Sequence, residues 1–240
     1  IGSVHQAESV LEAWTVLAGL SAVVEGLAIG PLVLNVANRH PAMVATQAAT
    51  LQEMSGGRVL LGMGAGGGRQ TPYAAEQRAV GREVPPDPLR RRQLVEAITV
   101  VRQVWKGETE GFDGHDYQLG AARGFPRPEP PPPIVVGAFG PKMAALAGQV
   151  GDGINVQAFH PRIEDLLGTA RGARQEAGLD ASDFLTTAFA GLDQRWLDQG
   201  SAERSRLRRL GVDRLILVVD PPYDPAEIRA AGRLMARSRR

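Results

Sequence analysis

The stretch RHPAMVATQAATLQEMSGGRVLLGMGAG, residues 39–66, carries the pattern on which the fold turns. Pro41 suits the first position of a helix, where its missing N–H costs nothing. AMVATQAATLQEM (42–54) then repeats apolar residues at helical spacing, and Ser55-Gly56-Gly57 stops it. RVLLGMG (58–64) follows, a short run apolar on both faces. Such runs are strands of a parallel sheet covered by helices on either side.

The same alternation continues outward in both directions. Upstream, Val10, Leu11, Trp14, Leu17, Ala18 and Ser21 space residues 8–22 as a helix, and LAIGPLVLNV (27–36) has strand length. Downstream, residues 65–88 are irregular and rich in Gly and Pro, a long loop of the kind that is often functional. LRRRQLVEAITVVRQVWK (89–106) is an amphipathic helix with Leu94, Ile98, Val101 and Trp105 on one stripe, and FDGHDYQL (112–119) is a turn or hairpin. Six of residues 126–133 are proline, which forbids a helix there. Strands at 134–137, 153–156, 184–192 and 212–219 alternate with helices at 141–151, 161–178, 201–210 and 225–238. Six strands, each followed by a helix or a helical loop, predict an α/β fold, either a (β/α)8 barrel or a doubly wound sheet. No shift in composition marks a boundary, so residues 1–240 read as a single domain.

Composition narrows the function. The 240 residues hold 27 basic and 26 acidic side chains, a net charge of +1, which argues against a general nucleic-acid binder. The absence of cysteine excludes disulfides, thiolate zinc sites and cysteine nucleophiles, and it suits a reducing cytoplasm. No apolar run reaches the roughly 20 residues of a membrane span, and no signal peptide is evident. The four histidines, His5, His40, His115 and His160, are scattered, so no metal centre is expected. His40 reads as a helix-start residue and His115 as solvated, while His160 follows a strand and is the weak candidate for contact with substrate. Arg90-Arg91-Arg92 reads as the solvated face of a helix. Walker A, G-x-S-x-G and H-E-x-x-H patterns are all missing.

Two glycine-rich strand ends remain. Gly62, Gly64 and Gly67 satisfy G-x-G-x-x-G, but no helix opens at once behind them, so the dinucleotide-binding reading is disfavoured. Two other readings stand: the glycines relieve crowding between backbones, or they leave room for a ligand to lie on bare main chain. GAFGPKMA (137–144) runs from strand through turn into helix, and exposed N–H groups at a helix start favour an anion. Lys142 would add a charge-assisted hydrogen bond. A tight turn without ligand is the alternative.

Three segments in order, residues 39–66, VEAITVVRQVWKGE (95–108) with FDGHDYQL, and PPPIVVGAFGPKMAALAGQVGDGIN (131–155), resemble signatures of the bacterial luciferase-like superfamily of flavin- and F420-dependent oxidoreductases. The resemblance covers nearly the whole chain. It implies a luciferase-like (β/α)8 TIM barrel in which six strands are visible, the first of them matching the family's third. The family's first two strands, and the Asp-His pair that many F420-using relatives carry after the second, are then without counterpart. His5 lies near that point and lacks the preceding Asp.

The resemblance implies F420 or FMN as cofactor. It places Val33, Leu34 and Asn35 under the ring, Ala65, Gly66, Gly67 and Gln70 along the ring and its side chain, and Phe139, Gly140, Lys142 and Met143 at the phosphate. Gly67 stands where some F420-dependent dehydrogenases have a glutamate. The implied activity is hydride transfer between F420 and a small organic substrate, with the 65–88 loop over the substrate. An FMN-dependent monooxygenase using oxygen and a non-catalytic flavin-binding relic are the alternatives. Relatives often form homodimers, which is the expectation here, without nucleic-acid or membrane partners.

Overall fold

The computed structural model describes residues 11–108, 110–121, 123–220 and 223–237. They fall into two compact units, the first ending at Gly137 and including Gln149–Asp152, the second made of Ala138–Gly148 and the chain from Gly153 onward. His5 and the first residues of the expected 8–22 helix lie outside the described residues.

The first unit begins with α1 (Ala13–Val23). Next comes β1 (Leu34–Asn35), a single 3-10 turn at Val36–Asn38, and α2 (Pro41–Met54). The apolar run 27–36 is not one continuous strand. Ile29 bridges Val59, the Gly62 N–H reaches the Pro31 carbonyl at 3.1 Å, and the strand ladder begins only at Leu34 and Asn35. Pro31 has no N–H for the ladder, and the Leu32–Val33 peptide is cis.

His40 caps α2 by accepting the Ala42 N–H on Nδ1 at 3.2 Å, with Pro41 behind it. At the other end Gly56 and Gly57 turn with φ of +63° and +84°, left-handed conformations that glycine adopts freely. β2 (Leu61–Gly64) follows. The 65–88 stretch is not wholly irregular. It contains the short helix α3 (Ala74–Ala79), and Arg69 and Gln77 tie it down by donating to the carbonyls of Val84 and Glu83.

α4 (Asp87–Lys106) buries the predicted stripe of Leu94, Ile98, Val101 and Trp105 and packs on α2, where Trp105 Nε1 donates to the Ala45 carbonyl at 2.9 Å. β3 (Phe112–Asp113) and β4 (Gln118–Leu119) form the expected hairpin. The Glu96 carboxylate accepts the N–H groups of His115, Asp116 and Tyr117 in its turn. The proline run adopts neither helix nor strand and leads into β5 (Ile134–Gly137). Parallel pairing runs β1-β2-β5, with Leu34 opposite Met63 and Leu61 opposite Ile134. Asp152 closes this unit: its carboxylate accepts from Ile134 N–H and from Arg102, each at 2.8 Å.

The second unit opens with α5 (Pro141–Val150), followed by β6 (Gly153–Gln157), α6 (Ile163–Glu176) and β7 (Leu185–Gly191). A single helical turn, α7 (Gln194–Leu197), is an element the sequence reading did not contain. α8 (Ala202–Arg209), β8 (Arg214–Val218) and α9 (Pro225–Arg237) complete it. β6, β7 and β8 are parallel and in sequential order, with Asn155 opposite Thr187 and Ala188 opposite Leu215. α6 buries Ile163, Leu166, Leu167 and Ala170. Each unit therefore holds three parallel strands interleaved with helices.

Candidate functional site

In parallel α/β folds ligands gather beyond the carboxyl ends of the strands. In the first unit that end is built from Val33, Asn35 and the turn after β2. Three glycines, Gly62, Gly64 and Gly137, leave room for Val33. A Cβ on them would approach its methyls to 3.0, 2.7 and 3.1 Å respectively. The glycines of β2 thus relieve crowding from the chain itself, the first of the two readings open above. Gly67 is of the same kind, because a Cβ there would strike the backbone of Tyr73 and Ala74. A glutamate has no room at that position.

Gly66 has φ of +74°, and its Cα lies against the Asn35 side chain; a Cβ would come to 2.6 Å from Nδ2 and 2.7 Å from Oδ1. Asn35 is buried, at 7% exposure. Its Oδ1 accepts the Ala37 N–H at 3.0 Å, which fixes the amide orientation, and its Nδ2 is buried without a partner. A buried donor left unpaired is costly, so this one is a ligand-facing candidate. Leu34 is buried in the ladder beside Met63, and Ala65 is buried next to Gly66. Gln70 is exposed, in the turn that precedes α3. Tyr117, on the hairpin, donates its O–H to the Val36 carbonyl at 3.2 Å. Burial first, then the nearby Asp116 carboxylate, pushes its phenol up to about 12.

In the second unit the Ala138 N–H pairs with the Asn155 carbonyl at 2.9 Å, delivering Phe139 and Gly140 to the start of α5. The Met143 and Ala144 N–H groups return to the Gly140 carbonyl. Around Gly140 the space is open, since a Cβ would meet nothing within 4 Å. Lys142 is exposed and Met143 half-buried. Phe139, more than half exposed, meets Phe189 edge-on at 6.3 Å. His160 sits after β6 as expected, but its Nδ1 accepts the Arg162 N–H at 3.1 Å, a helix-start contact. Among the described residues no group of three His, Cys, Asp or Glu is placed to hold a metal ion, and no helix is long and apolar enough to cross a membrane.

Residues 1–192 match the family model of luciferase-like monooxygenases. The chain belongs to that family. This luciferase-like chain is 35% identical over 195 residues to the F420-dependent hydroxymycolic acid dehydrogenase of Mycobacterium tuberculosis, an overlap of 80% of the chain and 50% of that protein. It is 36% identical over 174 residues to the F420-dependent glucose-6-phosphate dehydrogenase of Microbacterium testaceum, covering 71% and 50%. The chain therefore spans about half the length of the curated relatives it matches. Its fold is similar to that of an F420-dependent secondary alcohol dehydrogenase solved in complex with an F420-acetone adduct. The TM-score is 0.71 at 21% identity, over 97% of this chain and 77% of the other. The α/β architecture expected of a luciferase-like protein is thus present, with six parallel strands among the described residues where a complete (β/α)8 barrel has eight.

One residue packed on the turn after β2 does not lie where the sequence places it. Arg90 is not on the solvated face of α4. Its side chain is 12% exposed, and its guanidinium donates to the carbonyls of Ala65, at 3.2 Å, and Gly66. The signal was available: Arg90 lies four residues before Leu94, at the head of the buried stripe. Arg92, by contrast, is half exposed and pairs with Asp116 at 2.7 Å.

Proposed function

We propose that this protein is a luciferase-like oxidoreductase that uses F420 for hydride transfer to or from a small organic substrate. The observation that carries the reading is the unpartnered Asn35 Nδ2 at the strand ends of the first unit, in a chain more than 30% identical to two F420-dependent dehydrogenases. A deazaflavin ring presents carbonyl and ring-nitrogen acceptors, so it fits a buried donor that lacks one. When bound, F420 supplies the hydride chemistry itself.

The protein's part is to bind and orient. Asn35 donates to an acceptor on the ring edge, and Val33, 37% exposed, offers it an apolar face that excludes water. The main chain of Ala65, Gly66 and Gly67 runs along the ring and its side chain. In the second unit, Gly140 and the start of α5 offer open space beside a helix N-terminus, and Lys142 supplies a cation, a combination that fits a phosphate. Phe139 and Met143 flank that turn. The loop containing α3 lies over the substrate. With Nδ1 engaged by the Arg162 N–H, His160 would contact substrate through Nε2.

The same reading takes the protein as a cytoplasmic homodimer without nucleic-acid partners. It rests there on the absence of cysteine, the balanced charge and the family's habit of pairing through helices.

Titration of the pure protein with F420 and with FMN, read by ring absorbance and fluorescence, tests the proposal. F420 is expected to bind. The second reading, an FMN-dependent monooxygenase, has the description of the matched family in its favour. It predicts FMN binding, with oxygen uptake when reduced FMN is supplied. Binding of neither carrier overturns both readings, and binding of FMN without turnover would mark a non-catalytic flavin-binding protein.

A further inference from the structure

Arg90 stands in the first turn of α4, where the helix dipole disfavours a cation. Its surroundings compensate only in part. Nη2 donates to Asp87 Oδ1 at 2.8 Å, and that carboxylate is largely exposed, at 67%. Nη1 donates to two neutral carbonyls, Ala65 at 3.2 Å and Gly66. Nε is buried without a partner. A guanidinium kept inside under these terms costs desolvation that a lysine or glutamine on the surface would avoid. What it gains is a two-point hold on the one turn whose bare Cα presses on the Asn35 amide.

We propose that Arg90 is the positioning residue of the first unit's ligand cluster. It clamps the Ala65 and Gly66 carbonyls toward α4, so that Gly66 backs the Asn35 amide and Nδ2 stays aimed at the ligand. The inference rests on the F420 reading above for the identity of the ligand, while the clamp itself rests on the hydrogen bonds. Two independent groups converge on Gly66: its carbonyl is taken by Arg90, and its Cα by Asn35. Among the described residues the Asn35 amide makes one hydrogen bond, from the Ala37 N–H, so the Gly66 contact is its other restraint.

The test uses the full chain carrying Arg90→Gln, Arg90→Lys, Asn35→Ala and the Arg90→Gln/Asn35→Ala double variant. F420 affinity, the absorption band of the bound ring, the melting temperature and amide hydrogen exchange at 64–68 are measured for each. Arg90→Gln is expected to weaken F420 binding about tenfold, the scale of a hydrogen bond involving a charged group. It should also shift the bound-ring band and speed exchange at 65–68. Arg90→Lys, which keeps one charged donor, recovers part of the affinity and of the band. Because Arg90 acts through Asn35, the double variant loses little more than the larger single loss.

Unchanged affinity and band in Arg90→Gln, or single losses that add in full, overturn the inference. A lowered melting temperature with affinity intact does the same, since it marks a merely structural arginine. If the unaltered protein binds neither F420 nor FMN, the functional reading falls. The exchange data then decide the clamp alone: faster exchange at 65–68 in Arg90→Gln upholds it, and an unchanged rate overturns it.

Discussion

At Gly62, Gly64, Gly66 and Gly67 an added methyl group would land on Pro31, Val33, Asn35 or Tyr73. At Gly140 it would meet nothing within 4 Å. The first stretch lies on and just after the buried strand β2 and the second just after β5, and both run from a parallel strand into a glycine-containing turn. They nevertheless use glycine differently. Around β2 the missing side chains make room for the protein's own atoms, above all for Val33. At the start of α5 the missing side chain leaves an opening. Glycine density at a strand end therefore does not by itself separate a packing device from a ligand cradle; the partner that fills the space does. In the first unit the ligand signal is instead the Asn35 amide, a donor with nothing to donate to.

The strongest way to break this contrast is Gly62→Ala. The new Cβ would collide with the Pro31 carbonyl and approach a Val33 methyl to 3.0 Å, and the first of these is backbone that cannot rotate away. The expected cost is about 3 kcal/mol, the upper part of the range for overpacking. For a chain of this size that lowers the melting temperature by roughly 6–12 °C. A melting temperature within a degree or two of the unaltered protein would mean that β2 and the 29–33 segment are not packed this way. Gly66→Val is a poorer probe of ligand binding than its place in the turn implies. With φ of +74° and the Asn35 amide in contact, it disturbs the protein before any ligand arrives.

The opposite signature is expected at the start of α5. Lys142 is exposed, so Lys142→Ala should leave the melting temperature nearly unchanged. It should weaken F420 binding by about 1–2 kcal/mol, near tenfold in Kd, if Lys142 makes a charged hydrogen bond to phosphate. Equal affinity in titrations of the two proteins would remove Lys142 from the site.

Tyr117 sharpens the comparison from the crowded side, because its O–H fastens Val36, the neighbour of Asn35. Tyr117→Phe removes that bond, and the expected loss is about 1 kcal/mol at neutral pH. The pH dependence gives a second reading. The folded phenol is raised to about 12, above the ordinary value of about 10. The neutral phenol is therefore the form the fold prefers. Its stabilisation is fully present below about pH 10 and is lost as pH rises toward 12. Denaturation of both proteins across that window should show the unaltered chain losing its advantage over Tyr117→Phe. Parallel curves would argue that the phenol is not held.

Much of this was legible in the sequence, and what was not has definite causes. The 42–54 helix, its Gly56-Gly57 stop and the buried β2 run are local matters, set by spacing and by left-handed glycines. α3 and α7 were missed because six and four residues are too short to display a helical period. The 27–36 run has the hydropathy of a single strand because hydropathy does not register the lost N–H of Pro31 within it. In the site, Asn35 is the lone polar side chain of the 27–36 run, LAIGPLVLNV, and so is visible from sequence. Arg90 was hidden in a charge triplet, although its place four residues before Leu94 set it on the buried stripe. The partners of the β2 glycines were beyond reach, because Val33 meets Gly62 and Gly137 only through the parallel pairing of β1, β2 and β5.

The smallest expected effect bears most directly on the contrast. Gly140→Ala adds a methyl group where no atom lies within 4 Å, and Gly140 is not among the glycines with positive φ. Stability should change by less than about 0.5 kcal/mol, with a slight gain as favourable as a loss, because alanine restricts the unfolded chain. Binding is where the substitution acts. If the opening holds a phosphate close to main chain, even one methyl group displaces it, and F420 affinity falls while the melting temperature does not. Gly62→Ala reverses that order, losing stability first. A Gly140→Ala protein that binds F420 as the unaltered chain does would show that the opening at α5 is solvent, and the distinction between a filled and an open glycine turn would then carry no functional weight.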